Sequence, residues 1–280
     1  MPINPRYKDR LFRLLFGQEE YKCNMLSLYN ALNETNYTDV NDLTVTTIDD
    51  VIYVGMKNDV LFILADYINL WEQQSSFNPN MPVRGLMYFA KLYNGYIESN
   101  NLNIYGRRLI KLPTPKYVVL YNGTDGRPAR EKLKLSDAFI IPDDNREFEW
   151  TATVININPG KNDELLKACP ILNDYMTLIN RVNEYRRKGE NTERAVDKAV
   201  VSCIEDNILK DFLHKNRTEV LEVCITEFNK ETYEAGIRAE GRAEGVEEGM
   251  AKGMAKGKQS MLEQMLKAGV ITPEQAKMFS

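Results

Sequence analysis

Two acidic residues, Asp59 and Glu72, stand at the far ends of two apolar runs, Val-Leu-Phe-Ile-Leu after Asp59 and Ile-Asn-Leu-Trp before Glu72, with Ala65-Asp66 midway between them. This pattern reads as two strands joined by a tight turn, and a turn centred on Ala65 and Asp66 sets Asp59 opposite Glu72. Opposed residues on an antiparallel pair hold their Cβ atoms roughly 4.5–5.5 Å apart, and like charges there destabilise the sheet. A divalent cation between the carboxylates would compensate, because a hard ion such as Mg²⁺ takes oxygen ligands and keeps waters for substrate phosphates. The chemistry such a pair could support is metal-assisted hydrolysis of a phosphodiester. Side chains alternate along a strand, so Gln74 shares the face of Glu72, with Leu61, Ile63, Ile68 and Leu70 lining the rest of it. Gln74 can donate from its amide and accept at its carbonyl but brings no charge.

More of the chain falls around this cluster in a recognisable order. The stretch Tyr7-Lys-Asp9-Arg-Leu-Phe12-Arg-Leu-Leu-Phe16-Gly17 precedes it; Pro82-Val-Arg84-Gly-Leu-Met-Tyr88-Phe-Ala-Lys91-Leu-Tyr93 and Lys116-Tyr-Val-Val-Leu-Tyr121-Asn122-Gly123 follow. Asp59 with Glu72-x-Gln74 resembles the core of the PD-(D/E)XK nucleases. The flanking segments are similar to the opening helix, the Arg-containing tyrosine-rich helix and the next core strand of the Rpn branch, the recombination-promoting nucleases or YhgA-like putative transposases. The resemblance spans about residues 7 to 140. Gln74 stands where many relatives have lysine, glutamine being usual in this branch, and the proline that often precedes the Asp strand is absent. What the resemblance implies is a restriction-endonuclease-like mixed sheet flanked by helices, and a metal-dependent DNA endonuclease linked to recombination or mobile elements. Asp59 and Glu72 would hold Mg²⁺ or Mn²⁺, with Gln74 completing the catalytic set. Asp9, Arg84, Tyr88 and Lys91 are accessory candidates. The alternative is an inactive nuclease fold serving as a DNA-binding or self-assembling module.

The elements that must position these residues are legible in outline. Residues 6–17 form a short amphipathic helix with Tyr7, Leu11, Leu14 and Leu15 on its apolar face, and 19–33 a second helix. Leu43 to Ile52 reads as a first strand. Asn80 and Pro82 open a helix whose apolar face is read as Val83, Leu86, Ala90, Tyr93 and Ile97. Arg84, Tyr88 and Lys91 then fall together on its opposite side, either as a solvated face or as a set of phosphate-positioning groups next to the carboxylates. Tyr117–Tyr121 and Phe148–Ile157 are further strands, and from Asp163 to about Asn229 the pattern is helical. The class is therefore α/β, with helices on both faces of the sheet. Residues 1–160 are read as the core, 161–232 as a helical region packed on it, and 233–280 as a glycine-repeat tail with short C-terminal helices.

In that tail Gly241, Gly245, Gly249, Gly253 and Gly257 recur at every fourth residue among Ala, Glu, Lys and Arg. On a helix this is a slowly winding stripe, advancing about 40° per step. Each glycine costs helix stability about 1 kcal/mol against alanine. Two readings stay open: a fraying linker, or a self-associating helix that joins a homodimer.

With 280 residues and 43% apolar content the chain can bury one sizeable core. The apolar runs are too short for a membrane span and the start lacks a basic then apolar leader, so a cytoplasmic protein is expected. Cys23, Cys169, Cys203 and Cys224 are dispersed and His214 is the sole histidine, which argues against a zinc site or a disulfide framework; the four are read as reduced, mostly buried thiols. A net charge of −4 argues against a DNA-coating protein. Three local basic clusters, around Arg107-Arg108-Lys111, Arg127–Lys134 and Arg181–Lys188, could instead form a rim that binds a phosphate backbone.

Overall fold

The computed structural model describes residues 7–45, 59–142 and 147–225. The chain divides into two compact units, Met1–Glu227 and Phe228–Ser280, and every described residue belongs to the first. The glycine repeat and the tail expected over 233–280 lie outside the described residues, as does most of the strand expected over 43–52.

Strand formation follows the apolar runs. β1 (Thr44–Val45), β2 (Val60–Leu64), β3 (Tyr67–Gln74), β4 (Thr114–Tyr121), β5 (Arg130–Lys134) and β6 (Thr151–Asn156) make one six-stranded sheet in the order β1-β2-β3-β4-β6-β5. β3, β4 and β6 run parallel, while β2 and β5 are antiparallel to their inner neighbours. The sheet is therefore mixed. Parallel β3 and β4 need a crossover, and α3 (Met81–Ser99) supplies it.

Alternate residues of the central strands feed two separate cores. Val60, Phe62, Leu64, Trp71, Leu120 and Ile155 face one way. They meet α1 (Tyr7–Phe16) and α2 (Lys22–Asn33), together with the helices that follow the sheet: α4 (Asp163–Ala168), α5 (Pro170–Arg187), α6 (Thr192–Glu205), α7 (Lys210–Lys215) and α8 (Arg217–Ile225). Leu61, Leu70, Tyr117, Val119, Tyr121 and Val154 face the other way and pack under α3. The result is a three-layer α/β arrangement, helices covering both faces of a mixed sheet. Among the described residues no helix is long and apolar enough to cross a membrane.

The fold departs from the sequence pattern at two points. The face of α3 turned to the sheet is Met81, Gly85, Tyr88, Phe89 and Leu92; Ala90 is exposed, and Val83, Leu86, Tyr93 and Ile97 are only half-buried. The helix is thus rotated from the expected apolar stripe, because a glycine and a polar-tipped tyrosine, neither counted as core, make the contact. Cys23 is exposed, whereas Cys169 and Cys203 are buried free thiols.

Candidate active site at the carboxyl edge of the sheet

The β2–β3 turn places Ala65 at φ 48° and Asp66 at φ 62°. Two successive left-handed residues make the type I′ geometry whose twist matches a two-residue hairpin. It locks Val60 opposite Trp71 and Leu61 opposite Leu70. One step further out Asp59, just ahead of β2, and Glu72 come together. The opposed pair inferred from the turn centre is thus the register of the folded chain, and both carboxylates are buried.

Glu72 is held from three directions. The Arg84 guanidinium pairs with Oε1 through Nη2 at 2.7 Å. The Gln74 amide donates to the same oxygen at 3.2 Å, and the Tyr117 hydroxyl donates to Oε2 at 2.8 Å. Arg84 in turn donates to the Tyr88 hydroxyl from Nε at 3.2 Å and from Nη2 at 2.9 Å. Burial works against the Arg84 charge, but Glu72 and then Tyr88 more than offset it and raise its pKa. Burial, followed by Glu72, holds the Tyr117 phenol far above its usual range, so it remains a donor. The approach of α3 that allows this depends on Gly85: a Cβ there would lie 2.6 Å from the Tyr117 ring and 2.8 Å from Trp150 Nε1. Arg84 and Tyr88 therefore face the carboxylates rather than solvent.

Asp59 contrasts with Glu72. Its Oδ2 is buried without a hydrogen-bond partner among the described residues. Burial first, then the like charge of Glu72, hold its carboxyl well above the usual carboxylate range, while Arg84 pulls the other way. Asp9, in the first turn of α1, adds a smaller like-charge push, which brings the first-helix acid into the electrostatic neighbourhood of the site. Lys91 lies further along α3, half-buried.

The donor set suits a hard cation: two opposed carboxylates, one of them with an unsatisfied buried oxygen. It is not a preformed cage. Among the described residues no group of three or more His, Cys, Asp or Glu is arranged to hold a metal, and Arg84 already supplies the positive charge beside Glu72. Asp59, Glu72 and some solvent would make a site of the open kind in which Mg²⁺ keeps several waters.

Tyr117 was not singled out from the sequence, although it begins a strand that was. Its role depends on the parallel β3–β4 register, which sets Tyr117 opposite Leu70 and so on the face of Glu72. No local signal encodes that register. The basic clusters behave differently from one another. Arg130, Lys132 and Lys134 stand exposed on alternate positions of edge strand β5, where charged side chains discourage edge-to-edge pairing. Arg127 pairs with Glu131 and stacks 3.7 Å over the Phe77 ring. Arg107, Arg108 and Lys111 lie exposed in the loop before β4, and Arg181 pairs with Asp206 at 2.6 Å. No protein-family model matches the chain, and no curated protein or solved structure matches it.

Proposed function

We propose that the chain is a divalent-cation-dependent DNA endonuclease related to the Rpn branch of the PD-(D/E)XK nucleases. The observation that carries this reading is the buried Asp59–Glu72 pair at the end of a β-hairpin, with one carboxylate oxygen left unsatisfied. Asp59 and Glu72 would hold the Mg²⁺ or Mn²⁺, which when bound lowers the pKa of an attacking water and offsets charge on the phosphate. Tyr117 orients the Glu72 carboxylate through its hydroxyl. Gln74, within reach of Glu72, would hold the water or a phosphate oxygen by its amide. Arg84, once drawn off Glu72, offers a planar fork that binds phosphate bidentately, with Tyr88 as the hydroxyl that keeps it nearby. Lys91 and Asp9 would act from the rim.

A second reading has an observation of its own. Because Arg84 neutralises Glu72 internally, the same fold could serve as a DNA-binding module that never recruits a cation. Incubating plasmid and single-stranded DNA with Mg²⁺, Mn²⁺, Ca²⁺ or chelator separates the two. Cation-dependent cleavage lost in both Asp59→Ala and Glu72→Ala supports the nuclease. DNA binding without cleavage under every condition supports the module, and undiminished cleavage by Glu72→Ala removes this site from consideration.

A further inference from the structure

On the face of the sheet opposite Glu72, past the carboxyl ends of parallel β4 and β6, the chain forms an open groove of about 460 Å³. In α/β sheets this is the edge at which ligands settle, and the size is within the roughly 300–1,000 Å³ of small-molecule sites. Three cations line it: Lys8 from α1, and Arg186 and Arg187 from the last turn of α5. Among the described residues, none that lines it carries a carboxylate. Apart from the Thr124 hydroxyl, the remaining polar side chains of the lining are amides, with Asn122 following β4 and Asn180 and Asn183 on the same side of α5 as the arginines.

Cations at the C-terminal end of a helix are ordinarily explained by the helix dipole, and that accounts for the two arginines alone. It does not account for Lys8. This side chain reaches in from a different helix and places its ammonium against neutral oxygens, 3.3 Å from the Asn122 carbonyl and 3.2 Å from its Oδ1. Burial lowers its pKa, with Asp9 only partly offsetting the effect. Asn122 is itself fixed from the sheet by the Gln73 amide at 2.8 Å. A half-buried ammonium held by neutral acceptors beside the exposed Arg187 guanidinium is an arrangement that an anion completes. The asparagine amides, which both donate and accept, suit the edge of a base or a sugar hydroxyl.

We propose that this groove is an anion site, separate from the carboxylate cluster, that takes the phosphate group of a nucleotide, free or within a single strand. Gln73 and Asn122 belong to the opposite sheet face from Glu72 and Gln74, so occupation of one site does not require the other. The groove offers its cations to an anion whether or not the carboxylates support catalysis.

The test uses the full-length protein in chelator. Calorimetry follows orthophosphate and adenosine monophosphate, and anisotropy follows a short labelled single strand. Arg187→Gln and Lys8→Met are each expected to weaken binding roughly tenfold, the loss of one charge-assisted contact, and in the strand arm to reduce the salt slope by about 0.7. Affinity that rises from orthophosphate to the nucleotide or the strand assigns the groove to nucleotides, and the larger of those two gains identifies the source. Affinity no better than for orthophosphate overturns the nucleotide assignment. Parent-like binding by Arg187→Gln, an exposed substitution that leaves the core untouched, overturns the site even if Lys8→Met does not fold.

Discussion

Replacing Arg84 by glutamine leaves Glu72, whose side chain is 7% exposed, without its counter-charge and still opposed by Asp59. Removing one partner of a fully buried ion pair costs about 3–5 kcal/mol. The Arg84 side chain is 31% exposed, and the Tyr117 and Gln74 donors remain, so about 2–3 kcal/mol is the expected loss in chelator. For a unit of this size that lowers the thermal midpoint by roughly 5–10 °C. If the Asp59–Glu72 pair binds a divalent cation, the variant should bind it more tightly than the parent, because no internal guanidinium has to be displaced. Mn²⁺ at about a hundred times its dissociation constant would return about 2.7 kcal/mol, nearly the whole deficit. The assay is thermal unfolding of parent, Arg84→Gln, Glu72→Gln and the double variant, each with and without Mn²⁺. The double variant should lose less than the sum of the singles, since no orphaned charge remains. A deficit in Arg84→Gln that Mn²⁺ does not reduce would refute the idea that arginine and cation compete for one role.

Three further outcomes are expected. The Asp59 carboxyl, raised by burial and then by Glu72, keeps its proton in the fold at pH values where the unfolded chain has lost it. The folded state then binds more protons, so stability falls as pH rises upward from the ordinary carboxylate range. Asp59→Asn should remove that fall and be the more stable protein near neutrality in chelator, as melting between about pH 4 and about pH 8 would read. Gln74→Ala should lower turnover at saturating cation while Gln74→Lys retains it, and equal complete loss in both would make Gln74 a packing residue. Gly85→Ala, whose new Cβ meets the Tyr117 ring at 2.6 Å, should cost about 1–3 kcal/mol by overpacking. It should also reduce cleavage more than Gly95→Ala, where nothing lies within 4 Å.

Which of these features could be read from the chain depends on how local the determining geometry is. The Asp59–Glu72 pairing was legible because an antiparallel hairpin derives its register from its own two-residue turn, and the positive φ values at Ala65 and Asp66 sit where the turn centre was inferred. Tyr117 was not legible, since β3 and β4 are joined through α3 and not by a tight turn that would fix their register. The orientation of α3 was misread for a related reason. Its sheet-facing side is made by Gly85 and Tyr88 as much as by Phe89 and Leu92, and Arg84 turns inward because Glu72 is there to receive it. β5 was read as a basic cluster because its alternation is between charged residues, with only Leu133 to mark the inner side. Groove-lining Lys8 lay within a segment read only as helix, and its contact with Asn122 spans 114 positions of sequence.

The charge balance of the cluster connects these observations to the proposed chemistry. In the absence of a cation, a protonated Asp59 beside the Glu72–Arg84 pair is neutral overall, which is how a buried two-acid site remains compatible with folding. With a dication bound between ionised Asp59 and Glu72 those three groups would be neutral among themselves, and Arg84 would give the cluster a net positive charge with no carboxylate to serve. Cation uptake would thus expel one proton and release one guanidinium at the point where a phosphate would arrive. Such a site would reserve its positive charge for the substrate until the cation is in place. Arg84 comes from the helix that joins β3 to β4, so the crossover demanded by parallel strands also delivers the residue on which that exchange would turn.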